Sequence, residues 1–462
     1  MNDVIVIGAG ISGLAAAYEL HKRGLRVVVL EAGARPGGVI TTERFDGWVV
    51  DGGPDSLLVQ KSGAVALCRE LGIADRLVST LTPRTAYVLR DDRLHAIQEG
   101  SFLGFPIKFS ALARSSLFSV GGRVRMACEA LIARGGDGED ESIAAFVRRR
   151  FGQEAVDYLA DPLLAGIHAG DAERLSMRAL FPRLLEAERQ SGSVIRAFRA
   201  LHVKPSPQGA FVSLPGGTGE LVASLAAALP ADTLALSTRV TEIRRAGTYL
   251  VRSTAGVHES RAVILAVPAY AAAGLLGHFD TSLAALCEAV PYASTVTVAL
   301  GFLREQIGHQ MRGSGFVIPR VERRALLAGT WVTSKWPGRA PEGRVLLRGF
   351  LGGGRDPHRH EQPDAELIES AREELTELLD ITGEPLFSRL FRFTRQSPQY
   401  EVGHLKRVAA IEQRLAGIPG LFVTGSGFRS IGIPDCITDG RETAARAASF
   451  VRSGTQRSQR TV

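Results

Sequence analysis

Runs of apolar residues with two different periods alternate along the chain, and they place its elements in order. Val4 to Ile7 are four consecutive apolar residues, all of them β-branched, which is the signature of a strand buried on both faces. After a short glycine turn, an alanine-rich stretch from Leu14 to Lys22 reads as a helix ended by Gly24. Arg26 to Leu30 is a second apolar strand. Residues 85–205 carry mostly helical periodicity, as in ESIAAFVRRRFGQEAVDYLADPLL. Residues 269–390 are mixed, with the strand-like STVTVALGF, FVIP and RVLLRGFLGG followed by a helix, AELIESAREELTELL, behind Pro363-Asp364. Near the C-terminus an apolar strand, Leu421 to Thr424, runs through a glycine-rich turn into a closing alanine-rich helix.

The first turn carries chemistry. Gly8, Gly10 and Gly13 form G-x-G-x-x-G between strand and helix, with Ile11 and Ser12 inside it, and Glu31 stands 18 residues beyond Gly13 at the end of the second strand. Such a turn brings backbone to a pyrophosphate at a helix N-terminus, and the acid accepts from a ribose hydroxyl. Ala32 follows, then Arg35-Pro36-Gly37-Gly38, a second glycine turn with a cation suited to a longer ligand. This extension resembles the FAD signature of the flavin amine oxidase superfamily, so one non-covalent FAD is the expected cofactor. The pattern predicts an α/β fold with α+β insertions. A discontinuous FAD domain (1–84, 206–268 and 391–452) carries a helical lobe (85–205) and a substrate lobe (269–390), and a polar tail (453–462) is predicted to be disordered.

Composition narrows the field. The chain has 462 residues, 45% of them hydrophobic and 22% charged, and no apolar run reaches the ~18 residues of a membrane span. With the first strand starting near residue 3 and no cleavable leader ahead of it, the expected location is the cytoplasm. Cys68, Cys128, Cys287 and Cys436 are scattered without paired spacing, which predicts reduced thiols and no metal site. The net charge of +7 comes from dispersed basic residues not interleaved with aromatics, so it points to an anionic small molecule or an acidic membrane surface and not to nucleic acid.

Further blocks carry a more specific likeness: GPDSLL (53–58), DPLLAGIHAGD (161–171), LSMRALFP (175–182), PGGTGELVASL (215–225), GSGFVIPR (313–320), KWPGRAPEGRVLLRGFLGGGRDP (335–357), SPQYEVGH (397–404) and GIPDCI (432–437). In this order they resemble the bacterial oxygen-dependent porphyrinogen oxidases, FAD enzymes of heme synthesis. The resemblance implies a p-hydroxybenzoate-hydroxylase-like fold and a six-electron oxidation. That reaction has three rounds of hydride transfer to flavin, with O2 as acceptor and three H2O2 formed. It implies that the glycines above, Glu31 and Arg35 hold the adenine end and that Val240 meets the adenine through its backbone. Gly53, Pro54, Asp55 and Ser56 would line the flavin, and Gly425, Ile433, Pro434 and Asp435 would border its ribityl chain and ring. No side chain is assigned a proton-transfer role, since the cofactor carries the hard step. Asp55 and His168 are pocket candidates, and Arg44, Arg84 and Lys335 are candidates for gripping propionates.

Ala86 stands where some animal, plant and proteobacterial relatives have arginine. It joins GPDS and GIPDCI in resembling the Gram-positive type of enzyme, which favours coproporphyrinogen III over protoporphyrinogen IX. The loop Gly352-Gly353-Gly354-Arg355-Asp356 departs from the family pattern. In relatives the region matching residues 104–136 docks on membranes, and a plain helix pair is the equal alternative. Other heme-pathway enzymes are candidate partners. An amine oxidase or carotenoid desaturase is the rival enzyme, and a flavin-holding interaction protein the non-enzyme rival. Phe428 alone in its segment does not make an amine oxidase's aromatic cage.

Overall fold

A computed structural model describes residues 1–98, 101–102, 105–106, 109–135, 139–200 and 209–459. The strands Asn2–Ile7 and Val27–Leu30 lie parallel, with Val4 opposite Val27 and Ile7 opposite Leu30. The crossover helix Ile11–Lys22 between them is the βαβ unit that the apolar runs predict. Gly256–Leu265 lies on the other side of Asn2–Ile7, and Leu421–Val423 adds beyond it, both parallel. Leu234–Ala235 extends the opposite edge. The same long strand Gly256–Leu265 also ends an antiparallel meander with Val240–Ala246 and Thr248–Ser253. Ile5, Val6, Val263 and Ile264 are fully buried, as the continuous apolar runs require of a sheet covered on both faces.

The second sheet also has seven strands, ordered Phe387–Pro398, Tyr292–Leu303, Arg344–Gly352, Leu326–Trp331, Gly315–Val317, Ala86–Arg90 and Arg93–Ala96. One face is covered by the helix Asp364–Leu379, whose Leu367, Ala371, Leu375 and Leu379 form an every-fourth-residue buried stripe. Three expectations change here. Residues 86–96 form a hairpin of this sheet and not the start of the helical lobe. The predicted boundary at 390 falls inside one strand, Phe387–Pro398. Both misplacements arise because strands from distant parts of the chain pair here, which local periodicity does not register. The final helix, Ile433–Gln459, continues through the segment predicted to be disordered. A helix already nucleated upstream propagates through polar residues at one hydrogen bond each. Residues 460–462 lie outside the described residues.

The helical lobe packs Phe146, Val147, Leu159, Leu164, Met177 and their neighbours into a core of its own. At its centre Arg150 is fully buried against Glu129, also fully buried, and Glu188. Uncompensated, either charge would cost several kcal/mol. Here the guanidinium also donates to the carbonyls of Ile132 (2.9 Å) and Gly192 (3.0 Å). Of the stretch 104–136, residues 104, 107, 108 and 136 lie outside the described residues. Val120, Val124 and Leu131 are among the most exposed large apolar side chains of the described residues. No helix of the described residues is long and apolar enough to cross a membrane.

Candidate functional site

The dinucleotide turn is built as its residue types require. A Cβ on Gly8 would stand 2.5 Å from the Ala266 carbonyl oxygen, and one on Gly13 would stand 2.0 Å from the Gly8 oxygen. Both positions therefore admit only glycine. Gly10 differs: a Cβ there meets nothing within 4 Å, so this glycine faces open space at the N-terminus of Ile11–Lys22. That helix has no side-chain cap and no acid in its first turn, which leaves its N–H groups and dipole to an anion. Glu31 accepts from the N–H of Ala9 (2.6 Å) and the N–H of Gly33 (2.7 Å), so Ala32 sits in a clamped turn. The segment leading to Val240 lies alongside it, Ser237 N–H donating to Gly33 (2.9 Å) and Thr238 N–H to Glu31 (2.7 Å).

The second glycine turn abuts the first, with Gly37 N–H donating to the Ala9 carbonyl at 2.8 Å. The role expected of Arg35 changes. Its terminal nitrogens donate to the carbonyls of Gly38 (2.8 Å), Ile40 (2.9 Å) and Pro36 (3.1 Å), so it braces the turn's backbone. A dinucleotide fits this cradle: an open glycine, an uncapped helix end and a clamped acid converge. Ser430 adds a buried hydroxyl without a protein partner in the turn ahead of the closing helix.

Residues 53–56 are held from behind by ionic contacts. Lys335 Nζ lies 2.9 Å from both Asp55 oxygens, Trp336 Nε1 donates at 3.3 Å, and Arg348 is 3.3 Å away. Burial alone would raise the Asp55 carboxyl, but Lys335 and Arg348 hold it far below the usual carboxylate range. Asp55 is therefore a permanent anion and no acid/base group. Arg348 also donates to the carbonyls of Asp51 (2.6 Å) and Gly53 (2.9 Å), and Arg339 pairs with Asp51 at 3.2 Å. The backbone of the turn is fixed too, because Pro54 accepts from Thr218 Oγ1 (2.7 Å) and Asp55 from Ser213 Oγ (2.9 Å). Ser56 Oγ donates to the Asp55 carboxylate.

Two propionate candidates are thereby reassigned. Lys335 is committed to Asp55, and Arg44 donates twice to the Gly216 carbonyl, at 2.6 and 3.0 Å. Arg84 donates to the Thr80 carbonyl at 3.3 Å. The polar sequence around each gave no sign of these backbone partners.

On the opposite flank, Gly425 N–H and Thr424 Oγ1 both donate to Asp439, at 3.0 and 2.6 Å, and Arg429 pairs with the same carboxylate at 2.7 Å. Asp439, nearly two turns into the closing helix, thus positions the glycine turn, a role its sequence setting did not signal. Ile433 and Pro434 start that helix, and Asp435 pairs with Lys61. His168 ends the helix Asp161–His168, and its carbonyl accepts from Gln399 Nε2 (3.0 Å) and Ser397 Oγ (3.1 Å). Burial, with Lys61 beside it, pushes the His168 imidazole down to about 4, so it stands neutral near pH 7. His404 is also held at about 4, by burial and by Arg407.

Together, a glycine-built dinucleotide cradle and a charge-braced turn at the junction of two sheets define a flavoprotein oxidoreductase. Residues 11–448 match the family of flavin containing amine oxidoreductases, and the chain belongs to it. It is 34% identical to the coproporphyrinogen III oxidase of Bacillus subtilis (strain 168), over 98% of this chain and 99% of that one. It is 28% identical to a chloroplastic protoporphyrinogen oxidase of Nicotiana tabacum, over 97% of this chain and 86% of that one. A crystal structure of a protein from Exiguobacterium sp. 255-15 superposes with a TM-score of 0.87 at 29% identity, covering 96% of this chain and 98% of that one.

Two outcomes follow from this geometry. Gly10→Ala meets no protein atom, so the apoprotein keeps its melting temperature while flavin affinity, read by fluorescence titration, falls at least tenfold. Two imidazoles contribute to the pH dependence in one direction. Unfolded histidine titrates near 6.5 and these near 4, so between those values the unfolded chain holds more protons. Stability is full above about 6.5 and falls as the pH drops towards 4. Melting temperatures of wild type and His404→Gln across that range measure it, and the variant shows the shallower slope.

Proposed function

We propose that this protein binds FAD non-covalently and oxidises coproporphyrinogen III to coproporphyrin III with O2. Six electrons and six protons leave the macrocycle and three O2 become three H2O2. The observation that carries the reading is that the charges at residues 53–56 are committed: Asp55, Lys335, Arg348, Arg339 and Asp51 are bound to one another and to backbone, and His168 is neutral. Such a site orients and desolvates a substrate and asks no side chain for a proton.

When bound, the flavin supplies the two-electron acceptor, and the chain's own residues do the positioning. The uncapped N-terminus of Ile11–Lys22 and Glu31 hold the dinucleotide end. The braced turn 53–56 fixes one border of the reacting face. Gly425 and the start of the closing helix form the other, and His168 stands as a neutral wall. Full-length likeness to the Bacillus enzyme favours the coproporphyrinogen. So do Ala86 and a net charge of +7, the latter suiting a tetra-anionic substrate.

The exposed Val120, Val124 and Leu131 beside Arg123 support peripheral contact with an anionic membrane, within a cytoplasmic location. Flotation with vesicles of anionic lipid at low salt tests this contact: co-flotation is expected, and protein left at the bottom of the gradient overturns it. The activity is tested by incubating the holoprotein with O2 and each porphyrinogen in turn, following porphyrin fluorescence and H2O2. Faster turnover of coproporphyrinogen III, with three H2O2 per porphyrin, is expected. Preference for protoporphyrinogen IX would reverse the substrate assignment.

A further inference from the structure

One short segment, residues 397–404, reaches both flanks of the site. It leaves the substrate sheet at Pro398, the last residue of Phe387–Pro398, which pairs with Tyr292 on the neighbouring strand. Gln399, buried, is fixed by its own N–H donating to the Pro291 carbonyl at 2.8 Å. Its Nε2 and Ser397 Oγ both donate to the His168 carbonyl, so two side chains of this segment hold the end of Asp161–His168. The end needs holding, because Ala169 next to it takes a left-handed conformation at φ +51° that a residue with a side chain seldom adopts.

From the next residue on, the same segment faces the other flank. Tyr400 Oη donates to the Ser426 carbonyl at 2.9 Å. The His404 ring lies flat on the Tyr400 ring, with centroids 3.7 Å apart and planes 14° apart. His404 is fully buried, and its Nε2 stands 2.9 Å from the Phe428 carbonyl. A carbonyl only accepts, so Nε2 carries the proton and Nδ1, which has no partner, is bare. The stacked pair therefore grips the backbone of the glycine turn at two points, Ser426 and Phe428. The segment is tied to the helical lobe as well, through Ser176 N–H to the Tyr400 carbonyl (2.8 Å) and Gly403 N–H to Asp140 (3.1 Å).

We propose that residues 397–404 act as a gauge that sets the separation between the His168 wall and the flavin-bordering turn 425–428. In it Tyr400 and His404 are positioning residues for the flavin, and Gln399 and Ser397 for the substrate. The substrate half rests on the porphyrinogen reading above, whereas the flavin half stands without it. The two halves act through different carbonyls, so their loss has different signatures.

The test uses four variants of the full chain: His404→Leu, His404→Gln, Tyr400→Phe and Gln399→Leu. Flavin dissociation constants come from titration of apoprotein. The visible circular dichroism of bound flavin reports its setting, and KM is measured at saturating flavin. Loss of one buried donor is on the order of tenfold in an equilibrium constant. His404→Leu and Tyr400→Phe should raise the flavin dissociation constant by about that factor, with an altered flavin spectrum and a KM within about twofold of wild type. His404→Gln, whose amide still donates, should restore flavin affinity and spectrum. Gln399→Leu should raise KM about tenfold and leave flavin affinity unchanged. If each variant moves both constants alike, or if Gln fails to rescue, the gauge is wrong. Should His404→Leu not fold, Tyr400→Phe, which removes one oxygen, decides the flavin half. If wild type oxidises neither porphyrinogen, the functional reading fails, and the flavin constants and spectra still decide whether the pair positions the cofactor.

Discussion

The contact between Asp55 and the two cations Lys335 and Arg348 is the constraint on which the architecture turns. An aspartate buried this deeply is stable only as long as its partners are equally fixed. One side is a turn of the nucleotide-binding part, and the other is the substrate sheet, 280 residues further along the chain. Removing either side would strand a charge in a dry environment, so the two parts cannot separate without a penalty of several kcal/mol. Arg348 adds direct bonds to the backbone of Asp51 and Gly53, which turns an ionic contact into a positional one. The junction is thus held by electrostatics as much as by apolar packing, although Trp48, Val50 and Trp336 pack in one cluster there.

The rest of the site reads as a continuation of that arrangement. Glu31, Asp51, Asp55 and Asp439 each point a carboxylate at backbone N–H groups, hydroxyls or cations of a glycine-containing turn. Backbone that bends sharply without side chains of its own has little to pack against, and a buried carboxylate with several donors supplies the missing rigidity. Four turns are held in this way, and they are the turns expected to touch the cofactor. Preorganisation of this kind suits chemistry in which orientation does most of the catalytic work.

What could be read from the sequence was what is local. Gly8, Gly13 and Glu31 fall within one βαβ unit, where Gly13 closes on the Gly8 carbonyl and Glu31 clamps the N–H of Ala9, although the contact that makes Gly8 itself glycine is with the distant Ala266. The helix Asp364–Leu379 was equally plain, because its apolar spacing is its packing. Other features were hidden because they depend on meetings between distant residues. Arg44 and Lys335 looked like cations for a substrate, and each turned out to serve a carbonyl or a carboxylate far along the chain that no nearby pattern marks. Arg348, Tyr400 and His404 were present in recognisable blocks, and Asp439 lies just beyond one, yet their functions lie in backbone groups elsewhere. Strands 86–96 sat inside a helical stretch, since their partner, Gly315–Val317, lies more than two hundred residues away.

The strand Gly256–Leu265 has a consequence for how the molecule comes into being. It pairs on one side with the first strand of the chain and on the other with Leu421–Val423, the last. During synthesis, Asn2–Ile7 gains Val27–Leu30 along one edge early but waits for some 250 residues before Gly256–Leu265 covers the other. Leu421–Val423 follows more than 150 residues later still, and the closing helix, which carries Asp439 to the Gly425 turn, comes after it. The helical lobe, contiguous for most of its length, has no such delay. Chain topology therefore imposes an order of assembly: the peripheral lobe early, the central sheet late, and the last border of the ligand site last of all. An unfinished chain leaves a cleft with one wall missing, and so cannot trap a ligand before it is whole.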